Sequence, residues 1–121
     1  MILGLNFKNS IINSQNKIKY FSNCKKIYTL IVKPNFGCST KQIYSKIKTF
    51  DKPIFNKPNK KMFNINFLKN MNNSLEPAAF SQYSKLKTIK IFLENLKDTV
   101  FVRMTGSGSA IVAYFNSKER C

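Results

Sequence analysis

The stretch that decides the fold is Arg103-Met104-Thr105-Gly106-Ser107-Gly108-Ser109-Ala110. Apolar runs close on it from both sides, Thr99-Val100-Phe101-Val102 before and Ala110-Ile111-Val112-Ala113-Tyr114-Phe115 after. That pattern predicts strand, small-residue loop, strand. Two of the chain's four glycines fall in the loop, where the backbone needs positive φ or close approach to another group. Such a loop can aim backbone N–H groups and hydroxyls at an anion, or it can be a tight hairpin whose small residues serve packing. The loop alone leaves both readings open. It is not a Walker A loop, because Gly106 and Gly108 lie too close together and no Lys-Ser or Lys-Thr follows. Nor is it the dinucleotide fingerprint, since a strand pattern follows it and not a helix.

Upstream, Leu86, Ile89, Phe92, Leu93 and Leu96 recur at helical spacing, while Lys85, Lys87, Lys90, Glu94 and Lys97 lie largely elsewhere. Residues 85–97 therefore predict an amphipathic helix, capped by Ser84, from which Asp98 turns the chain into the strand. Before it, Asn73-Ser74-Leu75-Glu76 has the spacing of a capping box, with Asn73 as N-cap and Glu76 at the positive end of the dipole. Pro77 confines the start of that helix, which runs through Phe80. Residues 63–71 predict a short helix presenting Phe63, Phe67, Leu68 and Met71. Residues 51–61, with prolines and repeated lysines, predict a solvated basic loop.

Farther upstream, Ser39-Thr40 opens a helix with Ile43, Tyr44 and Ile47 in one stripe, ending near Phe50. Ile27-Tyr28-Thr29-Leu30-Ile31-Val32 is the best strand of the first half, and its nearly continuous apolar character implies burial on both faces. Pro34 stops it, and Asn35-Phe36-Gly37-Cys38 forms the turn. Residues 10–12 and 18–21 are short strand candidates around a polar turn at 13–16. Residues 116–121 read as the first turn of a helix capped by Ser117.

A chain of 121 residues sets a prior of one domain, since domains typically hold about 100 to 150. The 43% apolar content, with eleven Phe and five Tyr, suffices for a modest core. The net charge of +16 points on its face to a polyanion partner. Of the 21 basic residues nineteen are Lys, whereas readers of phosphates and base edges favour the bidentate guanidinium. Lys, Asn, Ile and Phe are together what an AT-rich genome writes at permissive positions, so we read the charge as compositional. Cys24, Cys38 and Cys121 form an odd set without C-x-x-C spacing, which supports neither a zinc site nor a disulfide framework and fits a reducing cytoplasm. The absence of His excludes Ser-His and Cys-His catalysis within this chain. The apolar start at residues 1–7 is too short for a signal peptide or a membrane span.

Taken together, Asn73-Ser74-Leu75-Glu76, the amphipathic helix and the motif at 101–110 resemble the C-terminal half of a GHMP kinase. Within that superfamily they are most similar to the branch acting on 4-diphosphocytidyl-2-C-methyl-D-erythritol in non-mevalonate isoprenoid (terpenoid) biosynthesis, whose third motif reads Arg-Met-Ser/Thr-Gly-Ser-Gly-Ser-Ala/Thr. The strand Leu30-Ile31-Val32-Lys33-Pro34 running into Cys38-Ser39-Thr40 is similar to the family's strand, proline and helix start. Ser74 stands where the family has Asp. The resemblance implies an α+β fold, the GHMP-kinase C-terminal domain, with an antiparallel sheet and helices packed on one face, truncated at both ends. It implies residues 25–121 as that domain, incomplete, and residues 1–24 as the tail of an N-terminal kinase domain, residues 2–5 resembling the segment just after the family's catalytic Asp.

The activity implied is phosphoryl transfer from ATP, with Mg2+ in the full-length enzyme, to the 2-hydroxyl of that substrate. The resemblance assigns Thr105, Gly106, Ser107, Gly108 and Ser109 to the phosphate and substrate side. No catalytic residue falls in this chain, because the ATP loop Pro-x-x-x-Gly-Leu-Gly-Gly-Gly-Ser-Ser and the family's Lys and Asp have no counterpart in it. Substrate and ATP would then be engaged through the missing N-terminal domain, with no specific nucleic acid and no membrane as partner, and the chain would be inactive alone. Where the family has Gly-x-Gly-Glu, this chain has Ser14-Gln15-Asn16-Lys17. Arg103 is either a ligand contact or a salt-bridge partner, for example of Glu76. Lys33 reads as a solvated lysine and Cys38 as packing.

The alternative from another class is a small basic α+β RNA-binding domain, with Tyr28, Phe36, Tyr44 and Phe63 interleaved among the lysines. Those aromatics sit in apolar runs, which favours the core for them. On fold alone a metabolite-sensing ferredoxin-like module also remains.

Overall fold

The computed structural model describes residues 9–120. The 2–5 segment and Cys121 lie outside the described residues. Two strands, β1 (Asn9–Ile12) and β2 (Ile18–Phe21), form an antiparallel hairpin. Its turn is built by Asn13, whose Oδ1 accepts from the N–H groups of Gln15 and Lys17, while Asn16 takes the left-handed conformation at φ 58°.

The main sheet has three antiparallel strands, β3 (Tyr28–Val32), β4 (Thr99–Met104) and β5 (Ile111–Phe115), in the order β3-β5-β4. Strand β5 is central, which is why Ile111, Val112, Ala113 and Phe115 are all buried. Alternation along the strands puts Val102, Met104, Ile111, Ala113 and Phe115 on one face. There they meet Ile43 of α1 (Thr40–Ser45), Ala79 of α3 (Glu76–Gln82), and Leu86 and Leu93 of α4 (Ser84–Glu94). The antiparallel sheet with helices on one face is as expected. Arg103 and Phe101 point to the opposite face. There Phe101 stacks on Tyr114 with ring centroids 4.1 Å apart, and a bulge between Thr99 and Phe101 sets that pairing.

Several expectations are corrected. Strand β3 is not buried on both faces: it is an edge strand, with Leu30 38% and Ile31 63% exposed. A nearly continuous apolar run reads alike at an edge and in the middle of a sheet, and only the strand order separates them. In α4, Leu86 and Leu93 are buried and Ile89 packs beside them, as does Leu96 just past the helix end, but Phe92 is 66% exposed. Phe92 lies six residues from Leu86, far around the helix from the buried stripe. Tyr83, not Ser84, is the N-cap, and the helix ends at Glu94. Helix α1 ends at Ser45, well before Phe50, and Tyr44 is exposed. Helix α2 (Ile65–Lys69) buries Ile65, a residue absent from the expected stripe. The basic run at 51–61 carries no helix or strand before a short 3-10 turn at Lys60–Met62, and a second such turn at Lys118–Arg120 follows β5.

Candidate functional site

The β4–β5 connection is a six-residue loop, 105–110, closed at its root by Thr105 N–H on the Ala110 carbonyl at 2.9 Å. Inside it, Gly108 N–H donates to the Thr105 carbonyl at 3.1 Å. Gly106 (φ 55°) and Gly108 (φ 92°) occupy the left-handed half of backbone space, and the Gly108–Ser109 peptide is cis. A Cβ on Gly108 would lie 3.0 Å from Cys38 Sγ and 3.2 Å from Met104 Sδ, so this position is close-packed. Gly106 faces open space.

The loop is tied down on three sides. Ser109 is 2% exposed, donates to the Phe36 carbonyl at 2.7 Å and accepts from Lys33 Nζ at 3.1 Å. The Ser107 hydroxyl meets Thr40 Oγ1 at 2.9 Å. Asn73 Nδ2 donates to the carbonyls of Met104 and Gly106, each at 2.8 Å. Apart from those of Thr105 and Gly108, the loop's N–H groups have no hydrogen-bond partner among the described residues; of these, Gly106 and Ser107 are adjacent, Gly106 exposed and Ser107 partly so. Adjacent open N–H groups, on a loop anchored through its side chains and carbonyls, are a geometry that can accept an anion.

The expected capping box is not formed. Leu75 is the N-cap of α3 with no side-chain capping bond, and Asn73 Oδ1 accepts from Leu75 N–H at 3.0 Å. Glu76 turns away from its own helix end: Oε1 accepts from Met104 N–H at 2.6 Å, and Oε2 pairs with Lys90 Nζ at 2.7 Å. The strand and the helix compete for one carboxylate, and the strand supplies an N–H already oriented by the sheet.

Arg103 does not bridge to Glu76. Its guanidinium donates to the Leu68 carbonyl at 2.6 Å and to the Met71 carbonyl, at the C-terminal end of α2, and stacks 4.8 Å over Phe101. A cation at a helix C-terminus is favoured by the unpaired carbonyls and the dipole there. Arg103→Lys is expected to lower stability by about 1–2 kcal/mol, because the shorter side chain has no planar guanidinium to stack on Phe101 while its end reaches both carbonyls. Urea denaturation checks it; an unchanged midpoint would show that the stacked guanidinium is not what matters.

Cys38 packs against the core beside Gly108, and burial pushes its thiol up against the smaller opposing pull of Lys33. It is a packing residue at neutral pH. Lys33 is not simply solvated, since its ammonium reaches Ser109. The only signal for that is register: Val32, the last residue of β3, pairs with Ile111, which carries the residue after it toward the loop. Three of the four aromatics weighed for RNA binding pack inside, Tyr28 and Phe36 on the core and Phe63 edge-on to Phe21. Tyr44 lies tilted against Phe50, ring centroids 6.4 Å apart.

The family described as GHMP kinases C terminal matches residues 55–120, a span that holds α2, α3, α4, β4, the glycine loop and β5. This chain belongs to the GHMP kinase family. It is 52% identical over all of its 121 residues to a 4-diphosphocytidyl-2-C-methyl-D-erythritol kinase of Pelagibacter ubique (strain HTCC1062), covering 43% of that protein. A Clostridium tetani protein of the same name is 37% identical over 87% of this chain and 40% of its own length. One from Buchnera aphidicola subsp. Schizaphis graminum is 32% identical over 93% of this chain and 36% of its own length. The GHMP kinase chain thus spans less than half the length of these relatives. No solved structure matches it. No helix among the described residues is long and apolar enough to cross a membrane. Among them, no three His, Cys, Asp or Glu side chains converge.

Proposed function

We propose that this chain is the C-terminal part of an ATP-dependent kinase that phosphorylates the 2-hydroxyl of 4-diphosphocytidyl-2-C-methyl-D-erythritol, and that the loop Thr105, Gly106, Ser107, Gly108, Ser109 is the phosphate-side wall of its active site. The observation that carries the reading is the adjacent open N–H groups at Gly106 and Ser107 on a loop anchored by Asn73 at the Gly106 carbonyl and by the Ser109 hydroxyl at Phe36. The relatives' shared name supports the substrate class.

Phosphoryl transfer asks the protein mainly for positioning and charge stabilisation. Fixed backbone donors meet that need without reorganising when charge develops on phosphoryl oxygens. Lys33, held at Ser109, adds a positive field beside the loop. ATP supplies the phosphoryl group. The general base and the nucleotide loop lie outside this chain's assigned residues.

The test is turnover. The 121-residue chain, given ATP and the substrate, is expected to form no phosphorylated product, and activity is expected when it is joined to the N-terminal half of the Pelagibacter relative. Turnover by the chain alone would sink the reading, and so would a joined protein that folds, binds ATP and remains inert.

A further inference from the structure

The loop's support lies outside it, and we propose that Asn73 and Glu76 are positioning residues that set the direction of the loop's open N–H groups, Ser107's above all. This rests on the phosphate-side reading of the loop. In the trans Gly106–Ser107 unit the Gly106 carbonyl and the Ser107 N–H point in opposite directions, so whatever fixes the one aims the other. The Gly106 carbonyl is fixed by Asn73 Nδ2 at 2.8 Å.

The other proton of that amide holds the Met104 carbonyl, also at 2.8 Å, so one side chain spans the strand end and the loop tip on either side of Thr105. Its oxygen accepts from Leu75 N–H at 3.0 Å, which sets the amide's orientation and removes any choice between flipped states. Glu76 supplies the second strut, a charge-assisted bond to Met104 N–H at 2.6 Å. Lys90 of α4 holds that carboxylate from the other side at 2.7 Å. The entrance of α3 is thereby spent on the loop root and not on capping its own helix. Glycine at 106 leaves the backbone free to turn, so the direction has to come from outside the loop.

The experiment is amide hydrogen exchange by NMR on this chain, with inorganic pyrophosphate as the phosphate probe. Asn73→Asp keeps the oxygen that accepts from Leu75 and deletes both donors to the loop. Exchange at Thr105 and Gly108 is expected to rise about tenfold or more relative to exchange at Leu93 and Ala113. A uniform change across loop and core overturns the inference, because that is what a merely stabilising residue produces.

If Asn73→Asp does not fold, the Glu76 pair decides. Glu76→Gln keeps the acceptor for Met104 N–H and should hold loop exchange within about threefold of the parent, while Glu76→Ala should raise it about tenfold. Equal exchange in the two overturns the inference. Pyrophosphate separates this idea from the reading beneath it. The parent should show shifts at Gly106 and Ser107, and the uncharged Asn73→Ala should bind about fivefold or more weakly. Equal affinities remove the positioning role and leave the phosphate-side reading standing. Absence of loop shifts in the parent removes that reading, and the exchange data still decide the brace.

Discussion

Gly108→Val is expected to lower stability by about 2–5 kcal/mol, from about 1–2 for a branched residue at positive φ and about 1–3 for overpacking. Both parts are visible at the site. The φ of 92° is one that L side chains rarely adopt, and the new Cβ would stand 3.0 Å from Cys38 Sγ and 3.2 Å from Met104 Sδ. Neither sulfur can retreat easily, since Met104 is 1% exposed and Cys38 packs against the core. Joined to a catalytic N-terminal half, the variant should also lose about a hundredfold or more in turnover, the usual cost of displacing a preorganised donor.

The two contributions separate in a double-mutant cycle. Gly108→Ala combined with Cys38→Ala removes the sulfur contact and leaves the Cys38 Cβ distance of 3.5 Å, an ordinary one. The pair should recover about 1 kcal/mol of the Gly108→Ala loss and no more, because φ is unchanged. Gly106→Ala meets nothing within 4 Å and should cost only the conformational part, about 1 kcal/mol. Equal losses at the two glycines in urea denaturation would contradict the packing described.

Leu93→Ala is expected to cost about 3–4 kcal/mol, and Phe92→Ala, its neighbour and the larger side chain, less than about 0.5. Leu93 is 2% exposed beneath the central strand, so truncation leaves a cavity among Ala113, Phe115 and Leu86 that rigid neighbours cannot fill. Phe92 is 66% exposed and loses little on truncation. A domain of this size has a total of about 5–15 kcal/mol, so the first substitution consumes a large fraction of it. Denaturation midpoints at constant slope measure both. The reverse order would place Phe92 in the core and reject the helix rotation described here.

The same pair shows how far periodicity reaches. Helical spacing places Leu86, Ile89, Leu93 and Leu96 on one stripe, and the structure buries or half-buries all four. Phe92 joins that stripe on the page only because hydrophobicity says nothing about angular limits. Strand β3 is the complementary case: composition marks it as a strand, but exposure of Leu30 and Ile31 depends on which strands pair, a long-range matter. Asn73 and Glu76 are harder still. Their spacing is that of a capping box, and they are diverted by Met104 and Gly106, 28 to 33 residues away. Local rules weigh only local partners.

By itself, then, the sequence determined the elements, the glycine loop between two strands, and the resemblance to GHMP kinases, because each is written in short-range spacing and residue type. Only the tertiary structure decided what the loop's groups do. Lys33, Phe36 and Thr40 reach it from one side and Asn73 from the other, across separations of 31 to 76 residues. Arg103 was drawn to the end of α2, away from Glu76, for the same reason. A polar group bonds to whatever acceptor the packed backbone brings within 3 Å of it, and that is set by the fold as a whole.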